Sequence, residues 1–219
     1  MTLPVDLPVP SPVDLPDPRA LPALDGASLD GRLYTRVTGL AGRAPDWFDA
    51  LVSHWSAYGL ALFAVLMLVA WWRARPGDAP RIAMALAAPL VVALAYTANT
   101  LIKTVVREQR PCLTLHTVTL ESCPAPDDWS FPSNHAAIAA AAAAALWLVD
   151  RGLGVIAAPA ALLMASSRVW VGAHYPHDVV LGLVVGAVVG LLLTGASRRA
   201  APLVERARAS RLRPLVAPR

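Results

Sequence analysis

The chain has 219 residues, 56% of them hydrophobic and only 16% charged, with a mean hydropathy of +0.51. A soluble domain of this size needs more charge to stay dissolved, so the composition points to an integral membrane protein. The formal net charge of +4 is small and its arginines gather at chain ends and loops. That pattern reads as membrane topology and not as a nucleic-acid-binding surface.

Residues 1–25 alternate proline with aspartate and short apolar residues. Proline at this density removes backbone donors and cannot fill a helix or sheet interior, so a disordered or polyproline-like arm is expected. The same segment lacks the apolar core of a cleavable signal peptide. In residues 28–49, Leu33, Val37 and Leu40 recur at helical spacing with Arg32, Arg36 and Arg43 between them. This predicts an interfacial amphipathic helix, with Trp47 and Trp55 at headgroup level.

Apolar runs then predict spans at about residues 56–72, 82–102, 133–149, 154–171 and 176–194. A bilayer crossing needs about 20 residues, so the third run is short and belongs inside the bundle. Its alanines suit a central helix that neighbouring backbones approach closely. Residues 150–153 are expected to form a four-residue turn. Pro176 fits the first position of a helix, and Asp178 then falls in its first turn. Gly182, Gly186 and Gly190 follow Asp178 at steps of four, so all four share the helix face that packs against other helices. The expected fold is an all-α polytopic membrane bundle of five to six spanning helices with an N-terminal interfacial helix. Its parts are a Pro-rich tail (1–27), a membrane domain (28–196) and a basic cytoplasmic tail (197–219).

Three polar clusters interrupt the apolar chain between residues 103 and 178: KTVVREQRP from Lys103, FPSNH from Phe131, and SRVWVGAHYPHD from Ser167. With five spans they fall on one side. The other side carries eleven basic residues (Arg73, Arg75, Arg81, Arg151, Arg198, Arg199, Arg206, Arg208, Arg211, Arg213 and Arg219) against the three acids Asp78, Asp150 and Glu205. The positive-inside rule therefore places the C-terminus in the cytoplasm and the polar clusters outside the plasma membrane. Cys112 and Cys123 lie in the loop between the second and third spans. A disulfide, which an oxidising compartment would permit, and two free thiols are equally open.

Lys103 alone would read as a lysine snorkelling at a helix end. With Arg110 seven residues on, and Arg168 inside a span where an arginine is costly, it reads as part of an anion site. Arginine grips phosphate oxygens bidentately and lysine acts as a point charge. Ser133, Asn134 and His135 open a helix whose free N–H groups also attract an anion. With no thiolate, acidic dyad or Gly-rich loop in sight, His174 is the candidate nucleophile and His135 the proton donor to the leaving oxygen. Asp178 would hold His174 in the attacking tautomer. His177 is given a rim role. A zinc site from His174, His177 and Asp178 is disfavoured by Pro176 and the nearby Arg110 and Arg168.

The pattern K-x6-R-P, P-S-x-H, S-R-x5-H-x3-D stands at Lys103, Arg110 and Pro111, at Pro132, Ser133 and His135, and at Ser167, Arg168, His174 and Asp178. It resembles that of the type 2 phosphatidic acid phosphatase superfamily, and three correctly spaced motifs in order are a specific signal. The resemblance covers roughly residues 50–195. The family's usual glycine in the second motif is Asn134 here, a residue that tolerates unusual backbone angles and can donate to phosphate. In this respect, and in Phe131 and the run from Arg168 to Asp178, the chain is similar to the bacterial undecaprenyl-diphosphatase branch. The resemblance implies hydrolysis of a lipid phosphate or diphosphate through a phosphohistidine, without metal or cofactor, at an outward-facing site. The same chemistry on phosphatidate, phosphatidylglycerophosphate or a polyprenyl-linked sugar phosphate is the first alternative, and an anion-binding transporter is the rival from another class. The implied partners are the lipid substrate and the membrane itself, with no nucleic acid; no residue pattern specifies an oligomeric state.

Overall fold

The computed structural model describes residues 25–217, so the expected Pro-rich arm up to residue 24 lies outside the described residues. Every regular element among the described residues is helical. They are α1 (Gly26–Ala41), α2 (Asp46–Tyr58), α3 (Leu60–Ala74), α4 (Ala79–Val106), α5 (Pro111–Leu115), α6 (Asn134–Val149), α7 (Arg151–Trp170) and α8 (Pro176–Ser197). A 3-10 turn (Arg198–Ala200), α9 (Ala201–Arg208) and α10 (Arg213–Val216) follow.

The stretches that begin at Ala79, Arg151 and Pro176 are long and apolar enough to cross a membrane, and α2 with α3 make a fourth candidate bent by 52°. By length and composition this is three or four crossings, where the apolar runs led to an expectation of five to six. Two features account for the difference. The first apolar run is broken at Gly59, and α6 has only 16 residues, about 24 Å of helix against a hydrocarbon core of about 30 Å.

The N-terminal region also departs from its reading. Residues 28–49 form parts of two helices, because Pro45 disfavours helical geometry in the residue before it and starts α2 instead. Asp46 and Asp49 then lie in the favourable first turn of α2. In α1 the buried positions are Gly26, Gly31, Tyr34 and Ala41, whereas Leu33 and Leu40 are 50% and 56% exposed. Tyr34 anchors the helix, its hydroxyl donating to the Gly172 carbonyl at 2.9 Å.

At the end of the bundle away from the polar clusters, Asp150 alone separates α6 from α7, tighter than the expected four-residue turn. Its Oδ1 accepts from the Leu153 N–H and caps α7. Its Oδ2 lies 3.1 Å from Arg81 and 3.3 Å from Arg73, joining the starts of α4 and α7 to the end of α3. The basic tail packs on this same end. Trp71 Nε1 donates to the Leu215 carbonyl at 2.9 Å, and Arg208 donates to the Gly77 carbonyl at 2.6 Å.

The alanine helix α6 is central, as its composition predicted, packing against α3, α4, α7 and α8. The glycine face of α8 meets it backbone to backbone: a Cβ at Gly186 would collide with the Ala137 carbonyl, and one at Gly190 would come within 2.8 Å of the Ala141 carbonyl. Neither obstacle is a side chain that can swing aside. Gly186→Val is expected to destabilise the protein by about 1–3 kcal/mol, read as a lower denaturation midpoint in detergent. Gly195→Val, where a Cβ meets open space, is the matched control.

Candidate active site

Four helix ends converge at the other end of the bundle: the C-termini of α4 and α7 and the N-termini of α6 and α8. Each delivers one of the polar residues singled out above. Left-handed geometry at Arg107 ends α4 just after Lys103. Pro111 at the first position of α5 and Pro176 at the first position of α8 fix the starts of those helices beside Arg110 and Asp178. Gly172, with φ +84, makes the turn that brings His174 back under Arg168; the His174 N–H donates to the Arg168 carbonyl at 3.2 Å.

His174 and Asp178 form the centre, 2% and 0% exposed. Nδ1 of His174 lies 3.2 Å from Asp178 Oδ2. That oxygen also accepts from the Tyr175 N–H at 2.8 Å and from the Ser130 hydroxyl. An ionised carboxylate only accepts, so Nδ1 carries the ring proton and Nε2 presents its lone pair. Nε2 faces Arg110, whose NH1 donates to it at 3.0 Å and to the Ala173 carbonyl at 2.9 Å. Burial, and then the fields of Arg110, Lys103, Arg168 and His135, hold the His174 imidazole well below its usual pKa. The ring is therefore neutral at physiological pH.

Of the eight predicted residues, Arg110, His174 and Asp178 touch directly, and the Ser133 N–H donates to the Asp178 carbonyl at 3.0 Å. The remaining four are placed by other groups. Lys103 Nζ donates to the carbonyls of Trp129 at 2.6 Å and Ser130 at 3.3 Å. Arg168 NH1 donates to Glu121 at 2.8 Å and to the Ser56 hydroxyl. Asn134 accepts from Asn99 Nδ2 at 2.7 Å. His135 follows it in the first turn of α6, half-buried. The Ser133 hydroxyl and Arg168 Nε, at the start of α6 and the end of α7, are buried with no hydrogen-bond partner among the described residues.

Sequence reasoning did not single out Ser130, Asp128, Glu121, Ser56, Asn99, Asp30 or Glu108. The two site arginines are held by carboxylates of one loop: Asp128 accepts from Arg110 at 2.9 Å and Glu121 from Arg168 at 2.8 Å. Cys112 and Cys123 are joined in a disulfide that closes this loop onto α5. Both acids are at least partly exposed. His177 is not a free rim residue, since both ring nitrogens meet carboxylates. Glu108, His177 and Asp178 offer atoms close enough to share a cation, but the contacts there are already those of a histidine donating to carboxylates.

The family model described as the PAP2 superfamily matches residues 84–201. Undecaprenyl-diphosphatase BcrC of Bacillus subtilis is 31% identical over 159 residues, 72% of this chain and 79% of that protein. Decaprenylphosphoryl-5-phosphoribose phosphatase of Mycobacterium tuberculosis is 39% identical over 102 residues, 46% of this chain and 54% of its own length. Among solved structures, LpxE of Aquifex aeolicus has a TM-score of 0.55 at 24% identity, covering 75% of this chain and 93% of its own. The transmembrane PAP2 type phosphatidylglycerolphosphate phosphatase of Bacillus subtilis has a TM-score of 0.56 at 20% identity, covering 76% and 84%. With the model matching more than half of its length and a relative aligned across most of both chains, this multi-pass membrane protein belongs to the PAP2 superfamily.

Proposed function

We propose that the protein hydrolyses a polyprenyl diphosphate of the undecaprenyl type to its monophosphate and inorganic phosphate, regenerating a lipid carrier of the cell envelope. The observation that carries this reading is the pairing of His174 Nε2 with Arg110 at 3.0 Å while Nδ1 rests on buried Asp178 at 3.2 Å. Nε2 attacks the terminal phosphorus, the bond to the bridging oxygen breaks, and His135 protonates the departing monophosphate. Water then cleaves the phosphohistidine, releasing phosphate and restoring the imidazole. Arg110, Arg168 and Lys103, with the Ser133 hydroxyl, the Asn134 side chain and the N–H groups at the start of α6, stabilise charge on the phosphoryl oxygens. The phosphate takes the donors that Asp128 and Glu121 hold in its absence. No step calls for a metal or cofactor.

In this reading the bent pair α2–α3, then α4, α6, α7 and α8, make five crossings. α6 tolerates its short length because the other helices cover it, and α1 lies at the interface. The site faces outward, a placement supported by the arginines at the opposite end and by the disulfide, a bond kept in oxidising compartments. An apolar groove of about 410 Å³ between α2 and α7, lined by Phe48, Leu51, Trp55, Leu163, Ser167 and Trp170, supports a lipid substrate. Its wall residues Trp55 and Ser167 are chain neighbours of Ser56 and Arg168, which suits a groove that guides the hydrocarbon tail towards the cations.

The relative named as a phosphoribose phosphatase favours a second reading, with the same chemistry on a polyprenyl sugar phosphate. The deciding experiment measures phosphate release by purified protein in detergent with EDTA present. Undecaprenyl diphosphate, a decaprenyl phosphoribose phosphate, phosphatidate and phosphatidylglycerophosphate are offered in parallel. Fastest turnover of the diphosphate is expected. Preference for another lipid would retain the mechanism and replace the substrate, and loss of activity to EDTA would overturn the metal-free scheme.

A further inference from the structure

The proposed reaction makes no use of His177, yet this residue is held on every side. Asp30 of α1 accepts from its backbone N–H at 2.8 Å and from Nδ1 at 2.9 Å. Nε2 lies 3.0 and 3.1 Å from the two oxygens of Glu108, in the connection between α4 and α5, and 3.4 Å from Asp178 Oδ1. The ring stacks on Tyr175, with centroids 5.4 Å apart and planes 19° from parallel, and Phe131 lies 5.6 Å from it with planes tilted by 36°.

Ionised carboxylates accept hydrogen bonds and donate none, so two such partners require a proton on each ring nitrogen. The ring is then an imidazolium, and flanking aromatic faces favour a cation. Charge balance leads to the same state. Glu108 and Asp178 are 1% and 0% exposed, and buried carboxylates this close keep their charges only with a positive group between them. Oδ2 of Asp178 is occupied by Ser130, Tyr175 and His174, whereas Oδ1 has no hydrogen-bond partner among the described residues and lies 3.4 Å from His177 Nε2.

We propose that His177 is a positioning residue whose fixed positive charge, held by Asp30 and Glu108, keeps Asp178 ionised and aimed at His174. It touches no substrate and acts through Asp178. Asp30 makes the N-terminal helix part of the site. It lies outside the residues matched by the family model, at a non-helical kink within α1 (φ −142, ψ 22). This inference rests on the hydrolysis proposed above.

The test compares His177→Gln, His177→Lys and Asp30→Asn with wild type on the lipid that wild type turns over fastest. His177→Gln keeps a donor and removes the charge. It is expected to lower kcat about 10–100-fold with KM within about twofold, and to move the acid limb of the kcat profile to higher pH. The groups facing the ring are Asp30, Glu108, Asp178 and Tyr175; without the cation, nothing offsets the repulsion of Glu108 on Asp178, which then serves His174 less readily as a carboxylate. His177→Lys restores the charge and is expected to recover part of kcat and the wild-type limb. Asp30→Asn, at a partly exposed residue that leaves the core intact, is expected to lower kcat about 3–10-fold.

Equal rates for the Gln and Lys variants, or an effect confined to KM, would overturn the proposal. Nitrogen-15 shifts of the His177 ring in folded wild type are expected to report both nitrogens protonated at pH 7. A neutral ring, or a ring bound to added zinc in an enzyme that zinc activates, would also overturn it. That readout needs no substrate, so it separates this inference from the hydrolysis reading, which fails on its own if wild type releases phosphate from none of the lipids.

Discussion

His174→Ala is expected to lower phosphate release about ten-thousand-fold or more, with the protein still folded in detergent. The ring's Nδ1 is committed to Asp178 at 3.2 Å, so Nε2, which Arg110 meets at 3.0 Å, is the nitrogen left to attack, and both cysteines are tied up in the disulfide. The same substitution should abolish an acid-labile phosphoenzyme that wild type accumulates when quenched during turnover. A variant that still forms the phosphoenzyme would remove His174 from the nucleophile's role. The pH dependence carries a matching expectation. Because burial and the neighbouring cations lower the pKa of His174, its imidazole stays unprotonated through the usual titration range near pH ~6.5. The nucleophile therefore contributes no acid limb to kcat/KM at that pH. The stability sign follows from the same shift: the unfolded chain takes up a proton near ~6.5 that the folded chain refuses. The stability contributed by this group is fully present above that pH and is lost as pH falls from there towards the folded pKa, which denaturation midpoints at pH 7 and pH 5 would record.

Asp178→Asn is expected to lower kcat about a thousand- to ten-thousand-fold, with KM little changed. The amide has nearly the shape of the carboxylate, so the Tyr175 N–H and the Ser130 hydroxyl can keep a partner and the helix start survives. The electrostatics change. With its oxygen where Oδ2 stood, the amide still accepts from the Nδ1 proton but carries no charge, so it holds the ring less firmly in the attacking tautomer. The imidazolium that develops on attack also loses its counter-charge. Retention of more than a tenth of wild-type kcat would show that Asp178 neither sets the tautomer nor stabilises the charged ring.

Much of this site was legible in the chain because its members are anomalous where they stand. An arginine near the end of an apolar run, a lysine seven residues before Arg110, and an aspartate on a glycine face each demand a reason that burial alone does not supply. One helix start was legible too, because Pro176 pre-sets the first turn of α8, whereas Asp150 caps α7 inside what reads as a four-residue turn. What could not be read was supplied by ordinary residues. Glu121, Asp128 and Asp30 are unremarkable acids in polar segments, and only closure of the fold brings them against Arg168, Arg110 and His177. Nor does local pattern show that Tyr34, through its carbonyl partner, seats α1 on the bundle. The count of crossings depends on how other helices shield α6, a tertiary property that hydropathy does not encode.

The glycine contact between α6 and α8 bears on how such a protein can diverge. Because the spacing of these two helices is set where one backbone rests on another, no particular side chain is needed to hold the proposed catalytic groups at their near ends in register. Outward-facing positions such as Val180, Val184, Leu191 and Leu192, all well exposed, can then drift among apolar residues to suit different bilayers. A chain built this way can share only a fifth to a quarter of its residues with LpxE and the phosphatidylglycerolphosphate phosphatase and still superpose on both.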